Sequence, residues 1–347
     1  MSDLCLQSYD YSLPPESIAT FPASPRESAK LLVYLRKEDR VIHTDFFHFY
    51  DFLPQDYLVI LNNTKVIKAR MFGHKISENK LGGKVEILYH RHLKDDKFLV
   101  QIRGRVKVGT HISLAPQFSL EVLELLDEGF RVVRFYDKNS SLSLIEVLAK
   151  TQEIGHIPLP PYIKRKDESS DEREYQSVFA QKLGAVAAPT ASLHFSDISY
   201  LQSHYEYCFL TLHVGAGTFL SVESQNITEH KIHTESFEIS HSSWEKICNA
   251  KHTLCVGTTS ARVVEYLYRN PPKSPTEQYQ GECDLFLHPL NPPQKLDALL
   301  TNFHLPKSTL IMLVSSLVGR EKCLELYHLA IKNQYRFYSY GDGMLIL

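Results

Sequence analysis

Between residues 66 and 150 short runs alternate apolar and polar side chains: Lys84 to Tyr89, Phe98 to Val108, Ser119 to Leu126 and Phe130 to Phe135. They are separated by turn signals such as Leu81-Gly82-Gly83 and Asp127-Glu128-Gly129. Period-two alternation between such turns predicts half-buried strands, and several in succession predict a small β-barrel. On either side of this region the pattern changes. Continuous apolar runs, Tyr57 to Leu61, Tyr207 to Val214 and Leu254 to Val256, suit strands buried on both faces, and they alternate with helical stretches such as Ala261 to about Arg269. The expected fold class is therefore α/β: a discontinuous α/β sandwich-type domain formed by residues 1–65 and 151–347, with an inserted small β-barrel domain at 66–150. The length of 347 residues agrees, at about 150 residues per domain.

The longest nearly apolar run, Leu310 to Val318, is interrupted by Ser315 and Ser316 and is far shorter than the ~20 residues of a membrane-spanning helix. The N-terminal MSDLCLQSYDYSLPPE has no basic start, apolar stretch or small-residue cleavage site, so a cytoplasmic protein without a membrane anchor is expected. The six cysteines form no C-x-x-C pair, which predicts free structural thiols rather than disulfides or a zinc ribbon.

Overall charge is near neutral, at −2, but its distribution is uneven. Residues 61–110 hold twelve basic and four acidic side chains, a local +8, and the other 297 residues carry −10. Within that block Leu99 to Val108 alternates, placing Ile102, Val106 and Val108 on one strand face and Gln101, Arg103, Arg105 and Lys107 on the other. A row of cations on a rigid face suits phosphate contacts, because each neutralised phosphate releases counterions. The same pattern also describes an ordinary solvated sheet face. Lys164 to Glu174, nine charges in eleven residues, reads as a mobile surface loop, and Pro271 to Gly281 as a polar connector.

Four segments place small and hydroxyl residues, often with a histidine, where an apolar run ends. Ligands of open α/β sheets bind at such places. The first, Gly184 to Phe195, contains His194, a proton donor or acceptor or else a satisfied core residue. The second is Thr211-Leu-His-Val-Gly-Ala-Gly-Thr218, in which His213 precedes Gly215, Gly217 and Thr218; a strand entering G-x-G can cradle a nucleoside or simply turn. The third, Val256-Gly-Thr-Thr-Ser260, leads into a helix whose N-terminal amides, with Thr258, Thr259 and Ser260, attract a carboxylate or phosphate. The fourth, Thr301-Asn-Phe-His-Leu-Pro-Lys-Ser-Thr309, gathers Asn302, His304 and Lys307 with two hydroxyls. His230, His233 and Glu235 lack the spacing of a helical zinc site, and no metal is expected.

Taken together these stretches resemble the S-adenosylmethionine:tRNA ribosyltransferase-isomerases of queuosine biosynthesis, almost end to end. The likeness runs through Tyr11-Ser-Leu-Pro14, Arg26 to Leu32, Asn62 to Arg70, Gly155 to Tyr162, Tyr175-Gln176, Ala185 to Phe195, Leu212 to Phe219, His230 to Glu235, Gly257 to Arg262, Asp297 to Leu313 and Tyr335 to Leu345. Asn63, Lys65, Lys68, Ser192 and Gly343 depart from the pattern, and Asn63 removes a carboxylate that the family often carries there. The resemblance implies an α/β domain with an inserted β-barrel. It also implies an enzyme that moves and isomerises the ribosyl part of S-adenosylmethionine onto 7-aminomethyl-7-deazaguanine at the tRNA wobble position, yielding epoxyqueuosine, adenine and methionine.

With that chemistry in view, proton transfer is expected from His194, His213 and His304, since imidazole titrates near ~6.5, with Asp342 as orienter or alternative base. Gly215, Gly217, Thr218, Thr258, Thr259 and Ser260 are expected to bind S-adenosylmethionine, which is consumed as substrate, with Phe219 facing the sulfonium. Asn302 and Lys307, and for the RNA Arg103, Arg105 and Lys107, are the expected substrate contacts. The partner is the anticodon loop of guanosine-wobble tRNAs, met by a monomer. An S-adenosylmethionine-dependent tRNA methyltransferase and a non-catalytic RNA-binding protein are the competing readings.

Overall fold

The computed structural model describes residues 2–77, 80–215, 217 and 222–347; Thr218 and Phe219 lie outside the described residues. The strands are β1 (Lys30–Leu35), β2 (Arg40–Asp45), β3 (Tyr57–Asn62), β4 (Thr64–Val66), β5 (Arg70–Ser77), β6 (Lys80–His92), β7 (Phe98–Arg103), β8 (His111–Ala115), β9 (Phe118–Leu125), β10 (Phe130–Asp137), β11 (Ser140–Ser141), β12 (Lys182–Ala185), β13 (Tyr207–Leu212), β14 (Glu235–Ser240), β15 (His252–Val256), β16 (Gln278–Cys283), β17 (Ala298–Asn302) and β18 (Gly343–Ile346). The helices are α1 (Phe49–Phe52), α2 (Leu144–Ile154), α3 (Asp171–Glu174), α4 (Ser199–His204), α5 (His241–Asn249), α6 (Thr258–Arg269), α7 (Thr309–Val318) and α8 (Arg320–Lys332).

Nine strands form one sheet in the order β16-β14-β13-β3-β15-β17-β18-β1-β2. Its centre, β13-β3-β15-β17, is parallel, and the flanking pairs are antiparallel except β18 with β1. The apolar runs occupy this centre because both faces are covered. Leu58 and Ile60 join one core with Leu210, Val263 and Met312, whereas Val59, Leu61, Leu254 and Val256 join the other with Phe46, Phe49 and Phe195. Each fully buried Leu, Ile or Val contributes about 1.5–3 kcal/mol relative to exposure. A run of four consecutive ones, Leu58 to Leu61, is therefore stable only between two apolar layers.

The second sheet has the order β11-β10-β7-β6-β5-β8-β9, and β9 also pairs with β10, so six of its strands are hydrogen-bonded in a ring. Its inward side chains, among them Met71, Ile87, Phe98, Val100, Leu120 and Phe135, form one core. β5 and β8 carry weaker alternation than the other four. β5 is interrupted by Gly73, where a Cβ would stand 2.7 Å from Ile112 of β8.

Several expectations change. The alternation from Leu99 stops at Arg103, because Gly104, at φ +132°, turns the chain off the sheet. Arg105 and Lys107 therefore sit in an exposed loop, and Val108 is 61% exposed instead of facing a core. The charged stretch 164–174 is anchored: Asp171 is fully buried and accepts two 2.7 Å bonds from the Arg165 guanidinium, one from the Glu168 amide and one from the Tyr340 hydroxyl. The polar connector ends in an edge strand, β16, that begins at Gln278. All six thiols are free; four are buried, whereas Cys5 is half-buried and Cys248 exposed. Among the described residues no helix is long and apolar enough to cross a membrane.

Candidate active site

The chain leaves the C-terminal ends of the parallel strands as small and hydroxyl residues, and these line a concave cavity. Ala187 to Ala191 of the first segment, Val214 of the second, Gly257 to Thr259 of the third, and Thr301, Asn302 and His304 to Ser308 of the fourth all line it. Tyr162, Tyr338 and Ser339 complete the wall. The four segments thus converge, although β13, β15 and β17 bring theirs from distant parts of the chain.

Local geometry explains the electrostatics. Gly257, at φ +89°, turns the chain from β15 directly into α6, which starts at Thr258 rather than Ala261. Thr258 and Thr259 consequently face the cavity, while Ser260 is fully buried inside the helix and donates to the Val256 carbonyl at 2.9 Å; it is not on the ligand surface as expected. α7 opens beside the same cavity, its N-cap Ser308 accepting from the Ile311 amide at 3.3 Å. Two helix N-termini, each equivalent to roughly half a positive charge, therefore meet there. Lys307 adds a cation, held 2.8 Å from Asp10, and no carboxylate stands among the lining residues.

The wall is also strained. Tyr338 adopts φ +73° and Lys307 φ +56°, left-handed conformations that are uncommon for side chains of this size and cluster at functional sites. The Tyr338 ring stacks on Tyr162 at 4.2 Å, the Tyr162 hydroxyl accepts from the Ser339 amide at 3.2 Å, and the Tyr338 carbonyl accepts from Asn302 Nδ2 at 3.1 Å. Neither tyrosine stood out from composition or spacing; both lie in stretches that carry the family likeness. His304 shares a 2.8 Å hydrogen bond between Nε2 and Thr301 Oγ1. Burial pushes its pKa down to about 3, so the ring is neutral at pH 7.

The other expected proton-transfer groups lie elsewhere. His194 does not line the cavity. It is buried behind the wall, stacked on Phe46 at 5.1 Å, and burial, reinforced by Arg336, pushes its pKa down to about 3. Its Nε2 and Asn302 Oδ1 both lack a conventional hydrogen bond among the described residues, and Asn302 is the side chain that favours the protonated ring. His194 thus lies behind Asn302, outside the residues that line the cavity. Asp342 is 1% exposed, and its oxygens accept from the Arg336 guanidinium at 2.8 and 3.1 Å, the Arg336 amide at 2.8 Å and the Lys30 amide at 3.2 Å. A carboxylate so occupied is a brace, not a base facing the cavity.

His213 faces a different space, a cleft between the two sheets, which Gly215 and Gly217 also line. Its Nδ1 lies 2.8 Å from Thr64 Oγ1. Burial lowers its pKa, and Glu238 partly opposes that shift. The backbone between cavity and cleft is pinned by a pair that sequence reasoning missed. Glu235 accepts from the Gly215 amide at 3.0 Å and pairs with Arg262 in the interior, and Arg262 also donates to the Leu285 and Cys283 carbonyls at 3.0 and 3.2 Å. An arginine one turn into an apolar helix, facing a strand that starts with glutamate, was the available signal. His230 packs against Phe286, and His233 against Gly217. Among the described residues no group of three or more His, Cys, Asp or Glu side chains is placed to hold a metal.

Comparison with known proteins follows this geometry. The family described as queuosine biosynthesis protein matches residues 6–346. A Helicobacter hepaticus protein named S-adenosylmethionine:tRNA ribosyltransferase-isomerase is 54% identical over 361 residues, covering 100% of this chain and 97% of its own. A Helicobacter pylori protein of the same name is 52% identical over 351 residues, with both chains covered completely. The crystal structure of the S-adenosylmethionine tRNA ribosyltransferase from Thermotoga maritima, 29% identical, superposes with a TM-score of 0.54 over 98% of this chain and 100% of that one. The mixed α/β chain therefore belongs to the queuosine-biosynthesis family of S-adenosylmethionine:tRNA ribosyltransferase-isomerases, and is a transferase.

Proposed function

We propose that the cavity binds S-adenosylmethionine as a substrate, and that the chain transfers and isomerises its ribosyl part onto 7-aminomethyl-7-deazaguanine at the tRNA wobble position. The products would be epoxyqueuosine-tRNA, adenine and methionine. The observation that carries this reading is the electropositive, carboxylate-free lining. Two helix N-termini and Lys307 suit the amino-acid carboxylate. The same field opposes the sulfonium charge and so favours release of a proton from the carbon beside sulfur.

The roles of the side chains follow from their surroundings. His304, neutral and in the cavity wall, supplies a hydrogen bond to the ligand. His213, less completely buried and near Glu238, is the imidazole suited to take up a proton. Thr258, Thr259 and Asn302 position the ligand. The ring of strands within residues 66–150 is the inserted barrel unit, and its cations Arg105 and Lys107, unpaired among the described residues, meet phosphates of the anticodon loop.

The test is an incubation with adenine-labelled and methyl-labelled S-adenosylmethionine plus amine-bearing tRNA. Release of free adenine and methionine is the expected result. Methylated RNA with S-adenosylhomocysteine would replace this reading by a methyltransferase, and no turnover would replace it by an RNA-binding module. His213→Gln should lower adenine release by about 10²–10⁴-fold, the usual worth of a general acid or base, with tRNA affinity retained, whereas His304→Gln should weaken S-adenosylmethionine binding by only about threefold to tenfold, the worth of one hydrogen bond.

A further inference from the structure

The cavity leaves the RNA base without a place, and the cleft between the two sheets supplies one. We infer that this cleft receives the extruded, amine-bearing heteroaromatic base of the RNA; the inference rests on the reaction proposed above. Three observations carry it. The first is adjacency: consecutive residues of one turn face opposite ways, Val214 lining the cavity and His213 and Gly215 lining the cleft. A group in the cleft is thus one residue's thickness from a ligand in the cavity.

The second is the chemistry of the walls. Leu144 and Leu148, one turn apart on α2, join Leu99 and Leu183 as an apolar floor, and Leu183 is 43% exposed although large and apolar. Flat bases stack on such surfaces when splayed out of an RNA loop. Over this floor stands His90, whose Nε2 is buried without a hydrogen-bond partner among the described residues. A buried imidazole nitrogen left unpaired is costly, and a hydrogen bond from a base edge removes that cost. Burial, with the charge of a nearby His233 as a second cause, pushes the His90 pKa down to about 4; the ring is neutral and able to donate or accept.

The third is the seating of His213. Gly184 has φ +151°, and a Cβ there would stand 2.8 Å from the His213 ring; the absent side chain lets the imidazole lie flat against the strand on the cleft side. The cleft's outer lip belongs to the cationic ring of strands, where Arg91 pairs with Glu282 of the larger sheet at 2.9 Å. RNA held by phosphate contacts on that unit therefore has its bases delivered to this opening.

The probe is an anticodon stem–loop RNA carrying 7-aminomethyl-7-deazaguanine, with the guanine-bearing stem–loop as control. Leu148→Trp fills the floor from α2, and Leu183→Trp fills it from a position exposed enough to leave the core intact. In both variants, affinity for the amine-bearing stem–loop should fall at least tenfold and its KM should rise, while S-adenosylmethionine affinity stays within twofold of wild type. Unchanged stem–loop affinity and KM in either variant, with S-adenosylmethionine still bound, would overturn the base site. A wild-type enzyme that releases no adenine would overturn the proposed reaction instead, and the stem–loop affinities would still decide the cleft.

Discussion

The cavity and the cleft flank the same few residues yet are built oppositely. The cavity lies at the ends of three parallel strands, lined by small and apolar residues with hydroxyls among them, with a histidine driven neutral by burial. The cleft lies between two separately cored sheets, and half-exposed ion pairs such as Arg91–Glu282 cross it. The first is bounded by loops at the strand ends of one sheet, whereas the second is bounded by two sheets. The pair Glu235–Arg262 stands between them and fixes the turn that both share.

That pair is where the contrast breaks most easily. Glu235 and Arg262 are 6% and 7% exposed, and removing one member of a buried pair leaves an uncompensated charge at a cost of about 3–5 kcal/mol. Glu235→Ala should therefore show the largest loss of stability in urea unfolding, with S-adenosylmethionine and RNA affinity failing together. A loss below ~1 kcal/mol with only one ligand affected would mean that the turn is not a common support.

Acid should separate the two regions next. His194 and His304 have pKa values pushed down to about 3, and His90 to about 4, against ~6.5 unfolded. Between those limits the unfolded chain binds more protons, so stability is complete above ~6.5 and falls as pH drops toward 4, by at most ~1.4 kcal/mol per unit for each site. Urea midpoints at pH 7.5 and pH 5 measure this, and His304→Gln should flatten the slope. A midpoint indifferent to pH would show that the buried rings are not held neutral.

How much of this could be read from the chain depends on which force placed each residue. The parallel centre was legible because residues 57–61 and 207–212 are apolar without alternation, which only double-sided burial rewards. The cavity was legible because its four segments are unlike ordinary strand ends. Within it, His194 was misplaced: a histidine between Leu193 and Phe195 follows its neighbours into the core. Asp342 was misplaced because its partner Arg336, six residues away, occupies it through a loop closure that no periodicity encodes. Tyr338 was invisible, since an aromatic residue at φ +73° is held by contacts from Asn302 and Tyr162, not by local preference. Arg105 and Lys107 were drawn onto a strand because alternation continues past Gly104 even though the strand does not.

A gentler break concerns His213 alone. Gly184→Ala adds one methyl at 2.8 Å from the ring, at a backbone angle of +151° that side chains rarely adopt. The cost should be about 1–3 kcal/mol, and the displaced imidazole should lower adenine release while leaving S-adenosylmethionine affinity near wild type, since Gly184 lines the cleft and not the cavity. Equal damage to both substrates would merge the two spaces into one site.

The smallest effect tests the outer surface. Of the cations in the block, Arg70 and Arg103 already face Glu86, Lys68 faces Glu172 and Arg91 faces Glu282, so each gains less from a phosphate than an unpaired cation does. Arg105 and Lys107 are exposed and enter no ion pair among the described residues. If both meet RNA, Arg105→Ala with Lys107→Ala should reduce the slope of log K against log salt by about 1.4, at ~0.7 per single-strand phosphate contact, with fold stability unchanged within ~0.5 kcal/mol. The effect should be equal for amine-bearing and guanine-bearing stem–loops, because phosphate contacts carry no base identity. An unchanged slope moves the RNA path to another face of the ring, and a base-dependent change places the loop at the cleft itself.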